Sequence, residues 1–489
     1  MVTLEDYGIQ NLAGLDELQK ALFAGQITGR DTEGLTTASG APIKTESLEG
    51  TLKVLQYNET DFVLWNKLPK LPAYNTVEEY LQVTSYGQEG GGFISEGELP
   101  AETDTTYVRK SQLVKFIGTT RNITHQMQLV NTIEGVSDVV QQQIEHASLF
   151  CLQVADKGLI WGDEAIIPTE YNGFYTQHLN SFPSLSNYHD SEVVIDLRGK
   201  VLKESHVSDG TLVIIDNHGA PSLLMGPPRV LSNFTKPYTS LKLIQPNSPM
   251  VTDGVMGQKV KTVMTQFGEI DLGWDKFMAP GKAKTLSDAA TSSLAPAKPV
   301  ADATTPKAIQ TDTQNLFAGF TGDYYYAVSA VNKYGESALT DLSTSGSPGA
   351  LLTVTSGKSV ELKFTAGSGA NATTGYIIYR SKLNPTGTMA NTKLYPIFKV
   401  STTGLASGYD GGAAGLVWDK NRYLPDTDCA FVCEPTTQVW SFKQLAPLFK
   451  VDLAQIGLSK RFAVGLYGTP ILYAPKKFVK FINIGADLT

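Results

Sequence analysis

Five groups of residues in this 489-residue chain have types and spacings that chemistry could use. Asp216-Asn217-His218-Gly219 follows the apolar run Val213-Ile214-Ile215, which reads as a buried strand whose end would present an acid and a base. Asp, Asn and Gly are also the ordinary turn residues after such a strand, and that reading needs no further partner. Cys429-x-x-x-Cys433 offers two thiols, yet no second ligand cluster accompanies them and no histidine lies beyond His218, so zinc is not expected. Cys151 falls on the apolar stripe of a helix and reads as a packing residue, not a nucleophile. His125 and His146 have no partner at metal-ligand or triad spacing. Gly90-Gly91-Gly92 resembles a phosphate cradle, but no Gly-Lys-Ser/Thr follows and the neighbouring segment SEGELPAETD is acidic. With no Ser/His/Asp set, GxGxxG or HExxH, the chain is expected to be no enzyme and to hold no metal or cofactor.

If no side chain does chemistry, the work falls to the elements. Apolar content of 42% and charged content of 18% describe a folded chain of two or three domains. A net charge of −8 and the lack of a Lys/Arg run argue against a tight grip on nucleic acid, although not against a wall that encloses it. Three cysteines are too few for a disulfide framework, which points to a reducing cytosol. The start, MVTLEDYGIQ, has no secretory pattern, and no apolar run reaches membrane-spanning length, so no membrane partner is expected.

Leu12, Leu15, Leu18 and Leu22 fall at helical spacing, and a polar, turn-rich stretch follows to residue 51. Alternation over 77–86 and again over 107–124 predicts a long projecting hairpin with the glycine triplet at its tip. Asn131 and Glu134 have capping-box spacing. They open a helix striped by Ile133, Val136, Val140, Ile144, Ala147, Cys151, Val154 and Leu159, a spine roughly 40 Å long. Short segments over 193–256 suggest an α/β unit, 259–278 a second hairpin, and 279–308 an Ala/Pro/Ser/Thr-rich linker. Residues 439–453 read as mixed helix and turn, and the last segment as strands punctuated by Gly468 and Pro475.

Between Pro296 and Pro425 the pattern changes. Period-two runs such as YYYAVSAVN, SVELKFT, GYIIYRS and LYPIFKVS, separated by Gly, Asn and Pro clusters, predict an all-β insertion. Eleven Lys/Arg and eight Asp/Glu give it +3, leaving −11 (−8 − 3) for the rest. The run from Tyr326 to Asn332, followed by Gly335-Glu336-Ser337, resembles the penultimate strand of a fibronectin type III domain. It precedes segments that resemble that domain's earlier strands, so the order reads as cyclically permuted and the fold as an immunoglobulin-like sandwich.

The host elements, taken in order, resemble the major capsid proteins of tailed bacteriophages, with the Hong Kong 97-type α+β fold. FAVGLYGTPILYAPKKFVKFINI is similar to the family's ending, and LPKLPAYNTVEEYLQVTSYG to its approach to an extended loop. The resemblance implies an N-terminal arm over 1–75, an extended loop over 76–120 and a peripheral domain with the spine helix over 121–190. It further implies an axial domain split between 191–255 and 426–489, a peripheral hairpin and linker over 256–295, and the insertion over 296–425. It implies a virion shell protein, assembled in the host cytoplasm as pentamers and hexamers around double-stranded DNA without sequence-specific binding, with separate scaffold, portal and decoration proteins as partners. Gly90, Gly91 and Gly92 would be the inter-subunit loop tip, and Lys110 and Lys115 the candidate loop cross-link lysines. The insertion would face outward as a spacer, with weak glycan contact as its sharper role. Two other readings stand beside this one: an encapsulin-like compartment shell, and a carbohydrate-binding adhesin or enzyme with a fibronectin-like module.

Overall fold

The computed structural model describes residues 57–87, 93–99, 102–129, 139–239, 260–342, 349–454 and 457–486. Gly90, Gly91, Gly92, the Asn131/Glu134 pair, Ile133, Val136 and the leucines at 12–22 lie outside the described residues. What is described is mixed α+β.

Two sheets build the host. The larger runs in the order Val194–Asp196, Phe478–Ile484, Asp428–Cys433, Leu223–Gly226, Gly268–Trp274 and Thr262–Thr265. Phe478–Ile484 is buried along its whole length, as a strand covered on both faces must be. One face meets Ala155, Leu159, Phe174 and Trp440; the other meets Val207, Ile214, Val230 and Phe234. The second sheet places Lys70–Pro72 beside Trp440–Asp452, then Ser459–Leu472, then Lys115–Thr124. Every strand of both sheets comes from before or after the 296–425 segment, so the host closes across it.

The spine helix Val139–Trp161 buries Ala147, Cys151, Ala155 and Leu159. Val154, on the stripe expected from sequence, is instead 40% exposed, because the buried stripe turns through Ala155. Cys151 is fully buried with Sγ 3.7 Å from the Val464 carbonyl oxygen, and burial pushes its thiol up to about 11, which fits a packing role.

Several expectations are corrected. The run ending in Asp216-Asn217-His218-Gly219 is not a strand but the helix Glu204–Asp216. Its buried residues Val207, Gly210, Thr211 and Ile214 keep helical spacing, and a short apolar run alone cannot tell the two apart. Gly210 faces the sheet, where a Cβ would stand 2.8 Å from Phe481. Residues 440–452 form a strand, not a helix and turn; register shifts around Ala446 accommodate Pro447, which a helix interior would not. The expected return limb divides at buried Val114: Thr106–Leu113 pairs with Val77–Ser85, while Lys115–Thr124 joins the second sheet. Gly468 interrupts nothing. It lies within Ser459–Leu472, where a Cβ would come 2.6 Å from the Lys443 carbonyl. The 279–308 stretch is no free linker either, since Lys284 bridges Leu394 and its Nζ lies 2.8 Å from Glu336.

Within 296–425 two sheets share one core. The first orders Gly335–Glu336, Tyr326–Asn332, Gly375–Ser381 and Leu394–Ser401; the second orders Lys307–Thr311, Lys358–Thr365 and Leu416–Asp419. Tyr326, Val328, Val360, Leu362, Phe364, Ile378 and Val417 fill the space between them. At one end Arg380, fully buried, pairs with Asp419 at 2.5 Å and donates to Asn421 Oδ1 at 2.6 Å. The rings of Phe317 and Tyr324 flank the guanidinium. Arg380→Ala leaves Asp419 buried without its counter-charge, so the chain is expected to lose about 3–5 kcal/mol, read from denaturant unfolding. Unchanged stability would show that water compensates Asp419 instead.

Candidate assembly interface and module junction

The hairpin of Val77–Ser85 and Thr106–Leu113 has two unlike faces. Its register opposes Val77 to Leu113, Leu81 to Arg109 and Val83 to Tyr107, which puts the odd-numbered residues on one side. The even side is tied to the body: Tyr80 meets Tyr473 edge-on at 5.1 Å, and Gln82 Nε2 donates to the Tyr473 carbonyl. Burial there pushes the Tyr80 hydroxyl up to about 12. The odd side carries the apolar residues and points outward, with Leu81 67%, Val83 48% and Tyr107 63% exposed. Phe93 and Leu99, in the tip segment, are almost wholly exposed. A hairpin that turns its polar side inward and its apolar side to solvent has the pattern of a binding surface.

The two loop lysines part company. Lys115 Nζ lies 2.7 Å from both Glu164 Oε1 and the Pro168 carbonyl, pinning the start of its strand to the turn after the spine. Lys110 stays on the hairpin, opposite Tyr80 and half-buried. His125 and His146 are exposed. Cys433 packs in the spine-side core while Cys429, at the other end of the same strand, is half-buried. Among the described residues no three His, Cys, Asp or Glu side chains converge as a metal site.

The sequence reading missed two buried histidines. Burial first, then the charge of Lys480 for His178 and of Arg422 for His189, pushes both down to about 3, so they are neutral packing residues at ordinary pH. It also missed the junction between host and insertion. Arg198, on a left-handed turn at φ 48°, donates Nη1 to the Asn421 carbonyl at 2.7 Å and Nη2 to the Leu316 carbonyl. One host arginine thereby ties the exit of the inserted sandwich, at Asn421, to the Leu316 loop within it. Asn483, also left-handed at φ 55°, accepts from Leu424 N at 2.8 Å and donates to the Arg422 carbonyl at 2.8 Å and to Asp196 at 2.7 Å. Arg422 closes the set, bonded to Asp410 at 2.8 Å within the insertion and to Ser186 at 2.9 Å in the host. Three polar side chains thus fix the module's orientation. No spacing announces them, because the partners lie up to 287 residues apart and three of the seven are backbone carbonyls. Arg198→Ala removes two of these bonds, at about 1–3 kcal/mol for the groups left unpaired. The expected result is faster limited proteolysis at 421–428 with the host cleavage pattern unchanged; equal rates would mean that the clasp does not hold the module.

A profile of the family described as SU10 major capsid protein matches residues 28–306. A chain of Enterococcus phage phiEF24C is 26% identical over 484 residues, covering 96% of each chain. The major capsid proteins of Staphylococcus phages S25-3 and K are 24% identical over 483 residues, again covering 96% of each. At that coverage the match runs through most of 296–425 as well. Among solved structures, the capsid of a native GTA particle aligns with 92% of this chain and 98% of its own at 8% identity and a TM-score of 0.46. The SrpI encapsulin of Synechococcus elongatus PCC 7942 aligns at 8% identity and 0.37, covering 92% and 96%. The likeness to phage major capsid proteins drawn from the sequence is borne out by the profile and the full-length relatives. The chain belongs to the SU10 major capsid protein family.

Proposed function

We propose that this capsid protein builds an icosahedral shell of pentamers and hexamers around double-stranded DNA, with the Hong Kong 97-type division of labour. In this reading the hairpin within 76–120 is the extended loop, and its outward apolar side lies on a neighbouring copy. That side is the single observation that carries the proposal, since it leaves Leu81, Val83 and Tyr107 unburied in the lone subunit. Residues 121–190 with the 256–295 hairpin form the peripheral domain; 191–255 and 426–489 form the axial domain. A shell multiplies weak contacts until loss of one subunit is negligible, so no single contact need be strong. The sequence relatives are phage major capsid proteins, which makes the encapsulin reading the weaker one and sets the adhesin or enzyme aside.

The inserted module is read as an immunoglobulin-like sandwich facing outward. Its two strand orders support a cyclic permutation, with Tyr326–Asn332 and Gly375–Ser381 adjacent although two strands of the other sheet lie before and between them in sequence. The clasp at Arg198 favours a rigid spacer over a tethered appendage. Deleting 296–425 and asking whether shells still form while adsorption drops tests the glycan role. For covalent locking, Lys110 is the loop lysine with no charged partner among the described residues, and denaturing gels of Lys110→Arg shells test it.

The central test uses Leu81→Asp with Tyr107→Asp. The subunit is expected to keep its fold by circular dichroism, because both positions are exposed, while electron microscopy finds no shells. Normal shells from the double variant would remove the hairpin from the assembly surface.

A further inference from the structure

Ahead of the hairpin, the short helix Val63–Lys67 carries the chain into the body, and its own N-cap position, Phe62, supplies no side-chain cap. The cap comes instead from two distant carboxylates. Asp275, at the end of Gly268–Trp274, accepts from Leu64 N at 3.0 Å. Asp156, on the spine helix, accepts from Trp65 N at 3.0 Å through Oδ1. Both acids are buried, at 1% and 0% exposure. Asp275 Oδ1 accepts in addition from Phe277 N at 2.8 Å. Asp156 Oδ2 is buried with no donor facing it.

Two buried carboxylates that cap successive N–H groups of one short helix, with three of their four oxygens taken by backbone donors and Asp156 Oδ2 left over, call for one proton between them. Asp156 Oδ2, the one oxygen of the four without a backbone donor, is the place for that proton, and the neighbouring Asp275 carboxylate favours it there. The surrounding charged and titratable groups do not relieve the pair. Lys276 is taken by Asp61 at 2.6 Å, and the Tyr171 hydroxyl donates to the Ala155 carbonyl at 2.5 Å. Burial first, and the Asp275 charge second, push Asp156 up to about 9. The sign follows. A carboxyl raised in the folded state contributes stability below its unfolded value near 3.8, and loses it as pH rises toward about 9.

We propose that Asp156 and Asp275 form a proton-dependent latch that clamps the lead-in helix 63–67 to the spine and to the large sheet. While the shared proton is present, residues 62–68 are fixed, and with them the root of the hairpin at Lys70–Pro72. Its loss places two like charges at one helix end in an apolar core, and the lead-in helix lets go before the sheets do.

Hydrogen exchange on the full chain, in short pulses at pH 7 and at about pH 10, tests this. In the wild type, protection of the Leu64, Trp65 and Leu68 amides is expected to fall at least tenfold relative to the amides of Phe478–Ile484. Asp156→Asn keeps the acceptor for Trp65 N and supplies a permanent N–H to Asp275, so it should hold protection at both pH values. No selective loss in the wild type, or the same loss in the variant, overturns the latch. Should the variant not fold, infrared spectroscopy of the wild type decides. A protonated carboxylic-acid band at pH 7 that vanishes together with the protection supports the proposal, and its absence at pH 7 overturns it.

Discussion

The host depends on one placement: the strand Asp428–Cys433 between Leu223–Gly226 and Phe478–Ile484. Neither neighbour can be covered on that side without it, and both hydrophobic cores of the host draw residues from it, Phe431 and Cys433 on one face and Ala430 and Val432 on the other. The strand lies some two hundred residues from Leu223–Gly226, and the whole inserted sandwich stands between them. Loop closure grows only logarithmically, at roughly 0.6 kcal/mol per doubling, so a long insertion is tolerated provided that its two ends emerge together. Arg198 and Asn483 fix the second of these ends, at Asn421, Arg422 and Leu424, and Arg198 also ties it to Leu316 within the module.

The same logic explains why the module is held rigidly. A sandwich on flexible linkers would let the strand that follows it wander; one clasped by Arg198, Arg422 and Asn483 delivers Asp428 to the sheet in a fixed direction. Arg229, bonded to Asp426 at 2.8 Å and Asp428 at 2.6 Å, secures that last step. Three of the participating residues adopt left-handed backbone without being glycine, as does Asn421, a local strain that the surrounding hydrogen bonds hold in place. Folding of the host and orientation of the module are therefore one problem in this subunit, solved by one polar junction.

Much of the fold was legible because it repeats simple periods. The alternation in Tyr326–Asn332, Lys358–Thr365, Gly375–Ser381 and Leu394–Ser401 marks strands regardless of their partners, and the 3–4 spacing through Ala147, Cys151 and Leu159 marks the spine. What failed was partner choice and context. Thr106–Leu113 and Lys115–Thr124 carry one continuous alternation yet serve two sheets, a break made by burial of Val114 and not by any turn residue. Glu204–Asp216 shows β-branched residues that a helix tolerates once Gly210 lets it approach Phe481. The interface was legible in part: alternation predicts the hairpin, but only the Tyr80–Tyr473 contact decides which side is free. The clasp at Arg198 could not be read at all, since its partners are carbonyls that every residue has.

The proposed assembly depends on the odd-numbered side of the hairpin being covered by a second copy. Hydroxyl-radical footprinting of assembled particles against dissociated subunits measures this side chain by side chain. It predicts strong protection of Leu81, Val83 and Tyr107 on assembly, with little change at Tyr80, already covered by Tyr473. Equal labelling of Leu81 and Tyr107 in particles and subunits would contradict it.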